Sequence, residues 1–298
     1  GAKENPGLKM MMNQVSLSRL SHGARAASMM RRCLNEAMTV AKTRSAFQEK
    51  IIGKPLLRRQ LMKLMVPTEQ ALSMTLYLGT VLTAAANGDA HAERVARILT
   101  PAHKYRTARD NIRVATGAME VRGGNGYIED FVNARLVRDA HVGLLWEGTS
   151  NINALDITTR AIGRTEAHRD LKSALLAQVD GCPRLPNSFA GVLKSSLIKS
   201  LDLAEEIARR GEECLARQAA SAVYHSATAV LLACEGARLG ADGGDARRLL
   251  LARMVVDHRL SPQDPLSTGD SAFETAGTDL LLSDAPVSIG VAEQTLSL

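Results

Sequence analysis

LKMMMNQVSLSRLSHGARAASMMRRCLNEAMTVAKT, residues 8–43, carries Met11, Val15, Leu20, Ala24, Ala27, Met30, Leu34, Met38 and Ala41 mostly three or four positions apart. That is the period of an amphipathic helix, whose apolar stripe must be buried against a neighbour. The pattern stops in QEKIIGKP (48–55), at Gly53 and Pro55. A second helix is expected over 56–87, ending at Asn87-Gly88, and a third over 90–121. Pro67 and Pro101 lie inside them and predict a kink or local break. RGGNGYIED (122–130) reads as a glycine-rich loop, followed by a short helix over 132–140. HVGLLWEGTSNINALD (141–156) then turns at Trp146-Glu147-Gly148 into a helix capped by Thr149 or Ser150, running to 163 and extendable to 179.

DGCPRLPNS (180–188) reads as a linker. Helices over 189–217, 218–240 and 245–258 follow, with Ser188 as an N-cap and Gly240 as a stop signal. From Ser261 onward the helical period is lost, and a partly ordered tail is expected. The expected fold is therefore all-α: an up-and-down helical bundle over 1–179 with a second, appended helical layer over 180–298. The abundance of Ala, Leu, Met and Arg agrees, because these are strong helix formers. Neither long Val/Ile/Thr alternation nor a βαβ pattern is present. No apolar stretch approaches the roughly 18 to 20 residues of a membrane span, and the polar start Gly1–Pro6 is no signal peptide. Cys33, Cys182, Cys214 and Cys234 are far apart with no CxxC or Cys/His cluster, so no zinc or other metal is expected. They read as small buried apolar residues in a reducing, cytoplasmic compartment.

The net charge of +6 hides an asymmetry: residues 1–164 carry 24 Lys/Arg against 13 Asp/Glu, and residues 165–298 carry 13 against 18. A basic first half suits a polyanionic ligand, such as a nucleotide cofactor, coenzyme A phosphates or nucleic acid; a solvated helical surface reads the same way. Glu147 stands out. It follows Leu144, Leu145 and Trp146 with no cation within several residues. A desolvated carboxylate has a raised pKa, which suits a general base, whereas a solvated turn would leave it an ordinary surface acid.

Three elements then occur in fixed order: GGNGY (123–127), Arg138-Asp139-Ala140, and WEGTSNI (146–152). In an all-helical chain this order resembles the C-terminal helical domain of the acyl-CoA dehydrogenase family. RSAFQ (44–48) is similar to the family's R-x-x-F-G segment, and Arg19 falls where the family carries a substrate-side arginine. The resemblance covers residues 8–165. Trp146 and the extra helices look more like the AidB-like and acyl-CoA oxidase-like branch than the short dehydrogenases.

The resemblance implies an FAD-dependent α,β-dehydrogenation of an acyl-CoA thioester, with Glu147 removing the α-proton. Arg44 and Phe47 match residues that reach the FAD of a neighbouring subunit. Gly123, Gly124, Thr149 and Asn151 match further cofactor positions, and Arg19 and Trp146 substrate positions. A homodimer or homotetramer, and electron-transfer flavoprotein or oxygen as acceptor, are implied with them. Three positions depart from the pattern: Glu120 where Gln is frequent, Gln48 where Gly is usual, and Ser16 where many members carry an acid. The N-terminal and β domains of full members are not in the sequence, so the chain is expected to be part of a longer enzyme and inactive alone. An AidB-type role in binding DNA is the alternative. The acidic second half argues against it, although Arg209-Arg210 and Arg247-Arg248 could form a local patch.

Overall fold

The computed structural model describes residues 7–261, 264, 266, 268 and 271–298. The first layer is built from α1 (Gly7–Thr43), α2 (Pro55–Ala86), α3 (Ala90–Arg122) and α4 (Val132–Leu145). Helices α1, α2 and α3 pack pairwise along their length, and α4 closes on α1 and α3. The middle and end of the stripe read from residues 8–43 face this core, with Ala27, Met30, Leu34 and Ala41 at most 6% exposed, whereas Met11 at its start is 53% exposed. Helices α2 and α3 run through Pro67 and Pro101, both buried, so neither proline ends its helix. Asp89 caps α3 by accepting from the His91 and Ala92 amides at 2.9 and 3.0 Å.

A two-residue ladder, β1 (Ser45–Ala46) with β2 (Glu49–Lys50), joins α1 to α2. Its turn residues Phe47 and Gln48 both have positive φ, 53° and 68°. Hairpin turns of this kind favour Asn-Gly for that reason. The backbone thus explains why glycine is usual after Phe47 in the family pattern, and Gln48 adopts the same conformation at a steric cost.

The second layer continues from α5 (Ser150–Leu155), which widens into a π-helical turn over Asp156–Ile162. Then come α6 (Ala167–Asp180), α7 (Asn187–Arg210), α8 (Ala216–Ala241) and α9 (Arg247–Val255), the last extended by a π-turn to Leu260. Helix α8 is apolar nearly all round, because α2, α3, α6, α7 and α9 enclose it. One apolar cluster joins the two layers, from Ala27 to Leu296.

Four expectations are corrected. The tail after Ser261 is not without helix: α10 (Ala272–Leu282) and α11 (Ile289–Leu296) bury Phe273, Leu281, Leu282 and Ala292. Both are too short for periodicity to stand out between Pro- and Ser-rich segments, and their stability comes from packing on α9. Helix α7 stops at Arg210 rather than 217, because Gly211 turns left-handed at φ 68°. Ser188 lies inside α7, whose N-cap position is held by Pro186 without a side-chain cap. Finally, Cys33 and Cys234 are buried, but Cys182 is half-buried and Cys214 exposed. Among the described residues, no helix is long and apolar enough to cross a membrane.

Candidate active site

Helix α4 runs on to Leu145, five residues beyond the expected end, so the acid sits directly between two helices. The connecting turn places Glu147 and Gly148 consecutively in the left-handed region, at φ 54° and 91°. For a non-glycine this costs of order 1–3 kcal/mol and persists only when neighbours hold it. Three side chains do. Lys104 Nζ donates to the Gly148 carbonyl at 2.5 Å, and Asn153 Nδ2 donates to the same oxygen at 2.8 Å. Arg19 Nε donates to the Glu147 carbonyl at 3.3 Å.

The Glu147 carboxylate is half-buried, and its Oε1 accepts from Ser18 Oγ at 2.8 Å. Among the described residues, Oε2 accepts no hydrogen bond. The apolar niche expected from the sequence neighbours is not formed within this chain: Leu145 is 69% and Trp146 54% exposed. The enclosure comes instead from the α1 and α3 sides, and it is cationic. Lys104 is 1% exposed, and burial first, then Arg19, lower its pKa to about 8, with Glu147 opposing. Burial and then Lys104 likewise hold the His22 imidazole below its usual range. The His22 ring meets the edge of Trp146 at 5.5 Å, and Arg25 lies 6.0 Å over the same indole.

Arg19, 5% exposed, is anchored from below by Asp156, 2.7 Å away. Arg97 grips the same carboxylate at 2.7 and 3.3 Å. Burial pushes the Asp156 pKa up, but Arg97 and Arg19 outweigh it and hold the group ionised. Ser18, Lys104, Arg97 and Asp156 escaped the sequence reading. Lys104 and Asp156 lie in segments buried on all sides, where a polar residue breaks no visible stripe.

The other residues singled out lie at two ends of the bundle. Thr149 and Asn151 flank the glutamate turn and are exposed. Arg44 follows the far end of α1. Twenty-four helical steps separate Arg19 from Thr43, about 36 Å. There Arg44 NH1 donates to the Arg122 carbonyl at 3.4 Å and lies over Gly123, where an added Cβ would meet it at 3.2 Å. Gly123 has φ 75°, and a Cβ on Gly124 would meet nothing within 4 Å. The close approach within the loop belongs to Gly126, whose Cβ would strike the Met119 carbonyl at 2.4 Å. Phe47 is 86% exposed, with Lys54 Nζ 5.3 Å from its ring. Among the described residues, Arg44 makes no ion pair.

Residues 5–162, more than half of the sequence, match the family model for the acyl-CoA dehydrogenase C-terminal domain. The chain belongs to the acyl-CoA dehydrogenase family. It is 30% identical over 206 residues to the putative acyl-CoA dehydrogenase AidB of Escherichia coli (strain K12), covering 69% of this chain and 37% of the relative. Among solved structures, Caenorhabditis elegans ACDH-11 in complex with C11-CoA superposes with a TM-score of 0.74 at 21% identity, over 86% of this chain and 45% of that one. A Bacillus anthracis acyl-CoA dehydrogenase complexed with FAD reaches 0.68 at 15% identity, over 96% of this chain and 56% of that one. At those identities the two structures speak for the fold alone, and the second extends it across both layers. The chain thus spans well under half the length of the curated relative.

Proposed function

We propose that this chain is the C-terminal helical part of an FAD-dependent acyl-CoA dehydrogenase in which Glu147 removes the α-proton of an acyl-CoA thioester. The observation that carries the reading is the glutamate turn: a carboxylate fixed at one oxygen by Ser18, open at the other, on a backbone clamped by Lys104, Asn153 and Arg19. Oε2 takes the proton while Oε1 keeps its hydrogen bond, so the acid need not reorient. Arg19 and Lys104 hold the backbone carbonyls of the turn, Glu147 and Gly148, so the carboxylate is fixed in place. Trp146 offers an exposed indole face to the acyl chain, and substrate would complete the desolvation that this chain alone does not provide.

The residues at the far end fit a dinucleotide. Arg44 is exposed and, among the described residues, without an ion pair, suited to bidentate contact with a pyrophosphate, and the open backbone at Gly124 admits close approach. A bound flavin would supply the acceptor for the β-hydrogen, which leaves as hydride to give a trans-2-enoyl thioester. Thr149 and Asn151 would contact it beside the glutamate turn. Arg44, Phe47, Gly123 and Gly124 of the same chain point elsewhere, and so would serve a second protomer in a homodimer or homotetramer. Electron-transfer flavoprotein or oxygen would then reoxidise the cofactor.

The test is flavin bleaching by acyl-CoA in the full-length flavoprotein. Glu147→Gln should retain FAD and slow bleaching by about 10²–10⁴-fold. Bleaching at the wild-type rate would remove Glu147 from the chemistry.

The likeness to AidB keeps the DNA reading in view. Among the described residues, however, Arg209 and Arg210 pair with Glu206, Arg247 with Asp245, and Arg248 with Glu69 and Glu235. The arginines that could have formed a patch are thereby neutralised, whereas DNA binding needs free clustered cations. A gel shift at low salt with duplex DNA separates the readings.

A further inference from the structure

Between α2, α3 and the turn after α9 lies a cleft of about 1260 Å³. Arg59 and Lys63 enter it from α2, Arg113 from α3, and Arg259 from the π-turn. Ile112 and Leu260 supply apolar wall. Among the described residues none of these four cations makes an ion pair or a side-chain hydrogen bond, although arginines elsewhere in the chain are mostly paired. Glu120 and Asp257 also line the cleft, and Glu274 attracts Arg59 and Lys63 from beyond ion-pair distance, but each nearby carboxylate has another partner. Asp110 holds Arg106 at 2.5 Å, Asp257 holds Arg253 at 2.7 Å, and Glu274 holds His258 at 2.7 Å. Glu120 accepts from Gln60 at 2.8 Å.

Arg259 is the decisive member. Among the described residues its Nε is buried with no partner, and so is Nε of neighbouring Arg106. Burial holds its pKa below the usual arginine value; Asp110 attracts the guanidinium, and Arg106 and Arg113 repel it. The half-buried guanidinium has no carboxylate within ion-pair distance among the described residues, and its fork-shaped donors match the oxygens of a phosphate. The size suits a small molecule.

We propose that this cleft binds a small phosphate ester of nucleoside-diphosphate size, its phosphates held by Arg113 and Arg259 and its body lying against Ile112 and Leu260. Lys63 and Arg113 stand eight and nine helical steps from Pro55 and Arg122, about 12–14 Å from the end where Arg44 lies. The inference does not rest on the flavin reading.

Inorganic pyrophosphate is the first probe, titrated calorimetrically into the full chain against sodium chloride of matched ionic strength. Saturable binding is expected, weakened at least tenfold by Arg259→Met and by Arg113→Met, and unchanged by Arg44→Ala. ADP should bind more tightly than pyrophosphate if the apolar wall contributes. Thermal melts guard against misfolding: ligand-free Arg259→Met should melt no lower than wild type, since it removes an unpaired charge, and pyrophosphate should raise the melting temperature of wild type only. Absence of saturable binding overturns the proposal. Equal loss in Arg44→Ala would assign the anion to the far end of α1, and a drop in the ligand-free melting temperature of Arg259→Met would make that arginine structural.

Discussion

The two ends of α1 are built in opposite ways. Around Arg19 the charged groups are held from inside the chain: Asp156 beneath it, Arg97 on the same carboxylate, Lys104 on the next turn's carbonyl, Ser18 on one oxygen of the glutamate. Around Arg44 the surface is bare. Phe47 projects from a strained two-residue turn, and the glycine loop opens to solvent at Gly124. The first end is preorganised, which is where rigid placement of a reacting carboxylate is worth most. The second has the character of a contact surface, whose energetics depend on whatever covers it.

This contrast can be broken by mutation. The largest effect is expected at the buried end. Asp156→Ala leaves Arg19 buried without its anion and should cost about 3–5 kcal/mol, read from urea unfolding. The sign with pH follows from Asp156, whose folded pKa lies below its usual value of 3.8. Its stabilisation is present above 3.8 and is lost as pH falls through the folded value, so the variant should show a flatter acid limb. An unchanged unfolding midpoint would mean that the buried pair contributes nothing.

At the exposed end, Arg44→Ala should weaken FAD retention in the full-length flavoprotein by about 1.5–3 kcal/mol. Equilibrium dialysis measures this, and undiminished retention would leave the surface without its proposed ligand. A subtler probe concerns the clamp. Trp146 is the only tryptophan, so its emission reports the glutamate turn alone. A transition with a midpoint near 8 is expected as Lys104, buried beside Arg19 and opposed by Glu147, loses its proton, and Lys104→Met should abolish it. Stability contributed by Lys104 should rise between about 8 and its usual 10.5, because there the unfolded chain binds more protons. A persisting transition would shift the assignment to another group. The smallest effect belongs to Phe47→Ala, which should change the stability of the isolated chain by no more than about 0.5 kcal/mol. A larger loss would show that the bare end is not bare.

Much of the first layer was legible because each helix buries one stripe. Residues 8–43 show the stripe plainly, and Asn87-Gly88 and Asp89 punctuate α2 and α3 with standard stop and start signals. Legibility fails where burial is all-round or local. Helix α8 was expected over 218–240 and spans Ala216–Ala241, but its enclosure by five neighbours was not legible, and α10 and α11 are too short to show a stripe. The end of α7 depended on the left-handed backbone of Gly211, which competes with a helical-looking sequence through residue 217.

The order of the glycine loop, the Arg-Asp-Ala triplet and the glutamate turn lay in the sequence, as did the all-helical character, because periodicity and turn residues are local properties of the chain. Sequence neighbours suggested an acid in apolar surroundings with no cation near. Packing α1 and α3 against the turn instead set Arg19 and Lys104 beside Glu147 and exposed Trp146. Electrostatic fields act through space rather than along the chain, so residues more than a hundred positions before the glutamate, together with Lys104 on α3, decided its environment.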